Sequence, residues 1–208
     1  METVEDKISM GNEFKRKLIH LTSSSIGFFY LFNSKELTLS ILVILFLITL
    51  SVDLLRYFSP AFNKFFLSIL RPILRGHEAD FKKIVFTGST CLLFSCIVCI
   101  YFFPKEIAVM AILILTICDT TAALIGKNFG KISYHNKTVE GTITFFLTGV
   151  VIVLLTPKIE GSISEYLIAF FALLLASLSE FLLSKIDDNI SVPLVFSIVY
   201  YALFKIFL

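Results

Sequence analysis

The chain has 208 residues, of which 57% are hydrophobic and 16% are charged, and its mean hydropathy is +0.90. Soluble domains carry about 25% charged residues, so this chain has too little polar surface for a water-soluble globule and is predicted to be an integral membrane protein. A formal net charge of +2 is too small to indicate a nucleic-acid partner.

Apolar runs of membrane length predict about seven transmembrane helices in a single polytopic domain, residues 1–208. The predicted spans are 18–33, 37–55, 84–103, 105–126, 141–157, 163–184 and 191–207. Residues 1–17 are polar and mixed in charge, which predicts a cytoplasmic N-terminal segment rather than a cleavable signal peptide. The predicted fold class is therefore an all-α integral membrane protein.

The first candidate site lies where the chain enters the membrane, in the sequence FKRKLIHL. Arg16, Lys17 and His20 follow one another there at positions i, i+1 and i+4 of a predicted helix. Such residues are typical of a basic anchor at the membrane interface. Alternatively, Arg16 or Lys17 binds a phosphate, and His20 lies near a reacting hydroxyl as a base or hydrogen-bond partner.

The segment 56–83 is predicted to be a cytoplasmic interfacial helix and loop. Within residues 60–75, apolar side chains recur at helical spacing and basic side chains lie elsewhere, which predicts an amphipathic helix on the membrane surface. Pro72 is expected to bend the end of this helix. Arg75 and Glu78, in the following loop, either order the helix against the site or belong to an ordinary polar loop.

The segment 119–142, DTTAALIGKNFGKISYHNKTVEGT, lies between two apolar spans and is predicted to be a nucleotide-binding loop region. It begins with Asp119 inside a predicted span, where an ionised carboxylate costs several kcal/mol unless it faces a polar cavity or a cation. The glycine, lysine and threonine residues that follow are suited to binding a polyphosphate. The candidate nucleotide-binding residues are Gly126, Lys127, Gly130, Lys131, Lys137, Thr138, Gly141 and Thr142.

Part of this segment has a purely structural alternative. Gly126 and Gly130 have the spacing of a helix-packing motif of small residues. Glu140 and Thr142 lie at the start of the next predicted helix, whose N-terminal amides favour an anion. Glu140 is also explained as an ordinary acidic residue at a helix start.

A group of acidic residues near the C-terminus is the third candidate site. Glu180, Asp187 and Asp188 fall on one stripe if a single helix continues through them, and three carboxylates so placed repel one another unless a cation lies between them. Oxygen ligands of this type suit Mg²⁺. The alternative is a solvated helix end followed by a turn, which explains Asp187 and Asp188 but not Glu180. The candidate metal ligands are thus Asp119, Glu180, Asp187 and Asp188.

The basic residues predict the orientation of the chain in the membrane. With a cytoplasmic N-terminus, seven spans place all but four of the 18 lysines and arginines on the cytoplasmic side. The four on the other side are Lys35, Lys105, Lys158 and Lys205. Every candidate site described above then faces the cytoplasm.

Three of these motifs together resemble the CTP-dependent lipid kinases. The run D-x-x-A-A-x-x-G-x-x-x-G-K at 119–131, followed by K-T-x-E-G-T at 137–142, is similar to the central motif of that family. The R-K-x-x-H of 16–20 and the E-x₆-D-D-N-x-x-x-P of 180–193 resemble its N-terminal and C-terminal signatures. The family includes dolichol, phytol and yeast-type diacylglycerol kinases, and it is related to the CDP-diacylglycerol synthases.

The resemblance implies transfer of the γ-phosphoryl group of CTP to a membrane lipid alcohol, with Mg²⁺ or another divalent cation as cofactor. The acceptor could be diacylglycerol, a polyprenol such as dolichol, or phytol, and the enzyme would lie in a bacterial inner membrane or the endoplasmic reticulum. The expected catalytic residues are Asp119, Lys137, Glu140, Asp187, Asp188 and His20. The base for the lipid hydroxyl is either a carboxylate without a metal or His20. The expected substrate-binding residues are Arg16, Lys17, His20, Arg75 and Glu78.

Two other functions remain open at this stage. A phosphatidate cytidylyltransferase, which makes CDP-diacylglycerol, would use the same cation and the same lysines. A small carrier that couples Asp119 and Glu180 to an ion is less favoured, because carriers of that type are built from inverted repeats and the chain shows no repeat.

Overall fold

The computed structural model describes residues 10–74, 78, 85–134, 137–183 and 186–208, and these are almost entirely helical. Within them, four helical segments are long and apolar enough to cross a membrane: Lys35–Phe58, Lys105–Phe129, Ile163–Leu182 and Asp188–Phe207. Two apolar helices are shorter, Gly88–Phe102 and Val139–Leu155. The all-α fold class is confirmed, whereas the count of seven spans and the cytoplasmic N-terminus remain predictions.

The elements follow one another along the chain with short connections. The α-helices of the described residues are α1 Met10–Thr22, α2 Ser24–Phe32, α3 Lys35–Phe58, α4 Pro60–Leu70, α5 Gly88–Phe102, α6 Lys105–Leu113, α7 Asp119–Phe129, α8 Val139–Leu155, α9 Ile163–Leu182 and α10 Asp188–Phe207. A π-helical stretch, Ile114–Cys118, joins α6 to α7 in one continuous span. Two short antiparallel strands, β1 Ser133–Tyr134 and β2 Lys137–Thr138, form a hairpin that was not predicted.

The first predicted span, 18–33, begins earlier than expected and is interrupted. Helix α1 starts at Met10, and a turn at Ser23 separates it from α2. The Ser23 amide donates to the carbonyl of His20, and the Ser23 carbonyl accepts from the amide of Ile26, both at 3.0 Å. Serine disfavours a helix interior because its hydroxyl competes for backbone hydrogen bonds, and three serines follow Thr22 in the sequence.

A helix is present where the interfacial helix was predicted, but it is shorter than 60–75, and its position at the membrane surface remains a prediction. Helix α4 begins with Pro60, and the Ser59 hydroxyl caps it by accepting from the amide of Phe62 at 3.3 Å. It ends at Leu70, after which a 3₁₀ turn contains Pro72. Proline cannot donate the hydrogen bond that an α-helix requires, so the helix tightens and stops there.

The continuous span Lys105–Phe129 forms the centre of the bundle. In its most apolar window 78% of the residues are buried, against 17% for α3, which lies at the periphery. Helices α2, α8 and α10 pack around this span, and α5 lies between α3 and α10. Asp119, which begins α7, is therefore held in the interior of the bundle.

Polar contacts at one end of the bundle involve residues that were predicted to lie on the side opposite the active site. Lys35 donates to the carbonyl of Tyr101 at 2.7 Å, and Lys105 donates to the carbonyl of Asn33 at 3.0 Å. Glu165, at the start of α9, is fully buried and accepts from the amides of residues 159–161 and from a tyrosine hydroxyl of α10. This network fixes the loop between α8 and α9, and it leaves the other end of the bundle for the candidate site.

Candidate active site

Three carboxylates from three different helices meet at that other end. Asp119 begins α7, Glu180 lies in the last turn of α9, and Asp188 begins α10. One oxygen from each lies within 4.8 Å of the others. Asp119 and Glu180 are each only 4% exposed, while Asp188 is half-buried. Clustered carboxylate oxygens are the ligands that a hard divalent cation such as Mg²⁺ prefers, so these residues fit such a cation.

Two lysines form ion pairs with this carboxylate cluster of Asp119, Glu180 and Asp188, and so balance part of its negative charge. The Nζ of Lys17 lies 2.6 Å from Oδ2 of Asp119 and also donates to the backbone carbonyl of Asp119 at 3.3 Å. The Nζ of Lys137 lies 2.8 Å from Oδ2 of Asp188 and also donates to Glu180. Ion pairing of this kind is what allows several acids to be buried together.

The two lysines differ in their electrostatic surroundings. Burial lowers the pKa of Lys17, and the carboxylate of Asp119 only partly opposes this effect. Burial would also lower the pKa of Lys137, but Asp188, Glu180 and Asp119 outweigh it, so the pKa of Lys137 is raised above its usual value. Lys137 is therefore a permanent positive charge beside the cluster.

His20 completes this side of the site. Its Nε2 lies 3.3 Å from Oδ2 of Asp119 and 3.4 Å from the carbonyl oxygen of Leu115. Both neighbours are acceptors, so Nε2 is the nitrogen that donates a hydrogen bond in this arrangement. Leu115 belongs to the π-helical stretch that ends just before Asp119, and such stretches are frequent at functional sites.

The glycines of the central segment allow the hairpin and α8 to approach α7 closely. A Cβ on Gly126 would lie 2.5 Å from the hydroxyl of Thr138, and one on Gly130 would lie 2.2 Å from the carbonyl of Gly126. A Cβ on Gly141 would lie 3.0 Å from the carbonyl of Ala122. Side chains at these positions would push β2 away from α7, and the glycines thus position the lysine of β2 beside the carboxylates.

Several predicted nucleotide-binding residues hold this local structure together. The Thr138 hydroxyl caps α8 by accepting from the amide of Gly141 at 3.1 Å, and Thr142 donates to the carbonyl of Thr138 at 3.1 Å. Glu140 accepts from the amide of Lys131 at 3.0 Å. Glu140 therefore faces the hairpin and is not among the three carboxylates of the cluster. The side chains of Lys127 and Lys131 are exposed.

Asp187 lies next to Asp188 in the sequence but has a different position in the structure. Its Oδ1 accepts from the amide of Asn189 at 2.9 Å and from the Nδ2 of the same residue at 2.7 Å, so it caps α10. The prediction of one continuous helical stripe is wrong, because α9 ends at Leu182 and α10 begins at Asp188. Glu180 and Asp188 meet because two helix ends meet.

The remaining predicted substrate-binding residues lie around a cavity of about 560 Å³ that reaches Asp119. Arg16 is half-buried and lines this cavity together with Lys17 and His20. Glu78 lines it from another side and accepts from the amide of Gly88 at 2.8 Å. Arg75 lies outside the described residues.

A second buried polar network borders the same cavity and was not predicted from the sequence. Asp53 accepts from the amide of Thr87 at 2.9 Å and from the hydroxyl of Thr90 at 2.7 Å, which joins α3 to the start of α5. Arg56 lies 3.3 Å from Asp53 and donates to Asn63 of α4 at 3.3 Å. An acid inside the predicted span 37–55 was the available signal, since an intramembrane carboxylate requires a partner.

Comparison with known proteins identifies several similar chains, and the names of the yeast relatives include an activity. The CTP-dependent diacylglycerol kinase 1 of Schizosaccharomyces pombe is 30% identical over 151 residues, which cover 68% of this chain and 66% of that enzyme. The enzyme of the same name from Saccharomyces cerevisiae is 30% identical over 149 residues, covering 67% of this chain and 49% of the enzyme. An uncharacterized protein of Rickettsia prowazekii is 29% identical over 184 residues, 88% of this chain and 90% of that protein.

The match spans between about half and two thirds of the length of these two yeast kinases. No protein-family model matches the chain, and no solved structure matches it significantly. The identity to several kinases over two thirds of the chain agrees with the resemblance of the three sequence motifs. The chain belongs to the family of the CTP-dependent diacylglycerol kinases, which are phosphotransferases with an alcohol group as acceptor.

Proposed function

We propose that this protein is a CTP-dependent lipid kinase that transfers the γ-phosphoryl group of CTP to the hydroxyl of a membrane lipid alcohol. The observation that carries the proposal is the meeting of Asp119, Glu180 and Asp188 with two lysines at one end of the bundle. The names of the relatives favour CTP as donor and diacylglycerol as acceptor. Phosphoryl transfer depends on charge neutralisation and positioning more than on covalent catalysis, and this site supplies both.

The carboxylate cluster would hold a divalent cation of the Mg²⁺ type. When bound, the cation would neutralise the charge of the β- and γ-phosphates and orient them. Asp119, Glu180 and Asp188 are proposed as its ligands, because their oxygens are already within 4.8 Å of one another. Asp187 is proposed to act through the N-terminus of α10, which it caps next to Asp188.

Lys17 and Lys137 are proposed to bind phosphate when a cation has taken over their carboxylate partners. Each ammonium group then needs a new anion, and the triphosphate is the anion that the substrate brings. Lys137 lies on the hairpin beside two of the carboxylates, and we assign it to the transferred phosphoryl group. Lys127 and Lys131 are exposed near the hairpin and would bind the outer part of the nucleotide.

In the transfer itself, the lipid hydroxyl oxygen forms a bond to the γ-phosphorus, and the bond from that phosphorus to the β–γ bridging oxygen breaks, so that CDP leaves. The hydroxyl proton needs an acceptor. His20 is proposed for this role, because it lies 3.3 Å from Asp119 at the edge of the cluster and lines the cavity that reaches Asp119. A carboxylate not bound to the cation is the alternative base.

The active site is proposed to face the cytoplasm, where CTP is available. The predicted excess of basic residues on that side supports this orientation. Lys35 and Lys105 lie at the opposite end of the bundle from the carboxylate cluster, in agreement with it.

The proposal is tested with purified protein in detergent, Mg²⁺, and CTP labelled either at the γ-phosphate or in the cytidine. We expect the γ label to enter the lipid and CDP to be released, with diacylglycerol accepted in preference to a polyprenol or phytol. Entry of the cytidine label into phosphatidate, with release of pyrophosphate, would instead identify a cytidylyltransferase. Transport of an ion into vesicles without CTP turnover would identify a carrier. ATP labelled at the γ-phosphate serves as the control for donor choice.

A further inference from the structure

The cavity beside Asp119 points to the place where the acceptor lipid binds. We propose that this cavity of about 560 Å³, lined by α1, α2, α3, α4 and α5, is the binding chamber of the acceptor lipid. This inference rests on the proposed kinase function. Beyond that function, the inference assigns the acceptor lipid to a site formed largely by helices that carry none of the family-like motifs. It also names the residues that are proposed to select the class of lipid.

The acceptor chamber has a polar end and an apolar body. Lys17, His20 and Asp119 form the polar end, so a hydroxyl placed there would lie beside the catalytic groups. The apolar body is lined by Ile26, Leu45, Ile48, Val52, Leu92 and Leu93. A volume of this size is in the range of small-ligand sites, about 300 to 1,000 Å³. The arrangement suits a lipid with its hydroxyl at one end.

The chamber is accessible from the lipid-facing side of α3. Ile48 and Val52 line both the chamber and a shallow groove on the outer face of α3, and Ile48 is 55% exposed. Along α3 the chamber extends from Leu45 to Asp53, which corresponds to about 12 Å at 1.5 Å per residue. The hydrocarbon core of a bilayer is about 30 Å thick. The chamber is therefore long enough for a headgroup and the first part of the chains, while the tails remain in the bilayer.

Two serines indicate which class of lipid alcohol fits. Ser23 and Ser25 line the chamber, and their hydroxyls make no hydrogen bond within the described part of the chain. Their depth is fixed by Gly27, because a Cβ there would lie 2.9 Å from Leu113. Leu113 precedes Asp119 by about 9 Å along the helical span. Ser23 is half-buried and Ser25 is exposed, and both lie between His20 and Gly27 along the chain, so their hydroxyls lie on the Leu113 side of the reacting group.

Polar groups at that depth are costly unless a partner satisfies them. The ester carbonyls of a diacylglycerol lie just below its free hydroxyl and would accept hydrogen bonds from Ser23 and Ser25. A polyprenol or phytol has no acceptor at that position. The chamber thus favours an ester glycerolipid, and the two serines are proposed to determine this specificity.

The position of the chamber is tested by filling it. Thr49 lines the chamber, and among the residues that the structure describes its hydroxyl donates only to the carbonyl of Phe46 in the same helix, so Thr49→Trp adds bulk without removing a long-range hydrogen bond to them. We expect the KM for diacylglycerol in mixed micelles to rise at least about tenfold, while the KM for CTP stays within about twofold. Ile41→Trp is the matched control, because Ile41 is an exposed residue of the same helix outside the chamber lining.

The role of the serines is tested with two acceptors that differ only in their carbonyls, diacylglycerol and dialkylglycerol. Wild-type protein should prefer the diacylglycerol, by about tenfold in kcat/KM, since hydrogen bonds to the carbonyls are lost with the ether lipid. The variant Ser23→Ala/Ser25→Ala should lose this preference and keep its activity on dialkylglycerol. Equal use of both lipids by wild-type protein would overturn the assignment of the serines.

The outcomes of these experiments distinguish an error in the assignment of the chamber from an error in the proposed kinase function. If wild-type protein phosphorylates no lipid, the proposed function fails. If it phosphorylates diacylglycerol and folded Thr49→Trp protein has an unchanged KM, the chamber is assigned wrongly. Should Thr49→Trp not fold, Ser89→Trp at the start of α5 fills the chamber from the other side, at an exposed position, and the same expectation applies.

Discussion

Replacing Asp119 by asparagine should lower the rate of lipid phosphorylation by about 10²- to 10⁴-fold. Asp119 lies among the other groups of the site. It is paired with Lys17 and contacts His20, and one of its oxygens lies within 4.8 Å of Glu180 and Asp188. Asparagine keeps the size of the side chain but removes the charge that binds a cation. The Mg²⁺ concentration needed for half-maximal activity should therefore rise together with the loss of rate.

The Asp119→Asn variant is expected to fold, which makes the measurement interpretable. The Oδ1 of asparagine and the unchanged backbone carbonyl of residue 119 can both still accept a hydrogen bond from the Nζ of Lys17, so this lysine keeps partners in its buried position. Glu165→Gln is the matched control, since Glu165 is also a buried carboxylate but lies at the opposite end of the bundle. Near-normal activity in Asp119→Asn, or an equal loss in Glu165→Gln, would contradict the assignment.

Replacing Lys137 by methionine should also lower the rate by about 10²- to 10⁴-fold, but for a different reason. In the structure Lys137 occupies the space between Glu180 and Asp188, with its pKa raised by these carboxylates. During the reaction we assign it to the phosphate. Methionine has a similar length and no charge, so phosphate binding is lost while the carboxylates remain.

The two variants differ in how they should bind a cation in the absence of CTP. The ammonium of Lys137 competes with a cation for Glu180 and Asp188, so Lys137→Met should bind Mn²⁺ at least as tightly as wild-type protein. Lys64→Met, which removes an exposed lysine of α4, is the control and should retain full activity. An active Lys137→Met variant would show that another group binds the transferred phosphoryl.

The acidic residues of the site could be predicted because charge is conspicuous in an apolar sequence. Asp119 and Glu180 lie within largely apolar segments, and burying either requires a partner. Asp53 offered the same signal, but apart from the nearby Arg56 its partners are Thr87 and Thr90, which lie more than thirty positions away and carry no charge. Residues that line one cavity from separate helices do not share a pattern in the sequence, so neither this network nor the acceptor chamber could be predicted.

The sequence alone does not indicate whether Asp187 or Asp188 belongs to the carboxylate cluster; the local backbone conformation decides this. Asp187 and Asp188 are chemically identical neighbours, and which of them reaches the carboxylate cluster depends on where α10 begins. The hairpin of β1 and β2 is similarly short, with two residues in each strand, and such strands are not recognisable from alternation of polar and apolar residues. Gly126 and Gly130 had two interpretations from the sequence, a helix-packing motif and part of a nucleotide-binding loop. In the structure they allow β2 to pack closely against α7, and this packing fixes the position of the hairpin.

Binding of Mn²⁺ to the purified protein, followed by electron paramagnetic resonance, tests most directly whether the three helices share one cation. The account predicts one bound Mn²⁺ per chain, with the dissociation constant raised at least about tenfold by Asp119→Asn, Glu180→Gln or Asp188→Asn. Asp187→Asn should have a much smaller effect, because asparagine also caps a helix. Unchanged binding in all three cluster variants, or the largest loss in Asp187→Asn, would contradict the account.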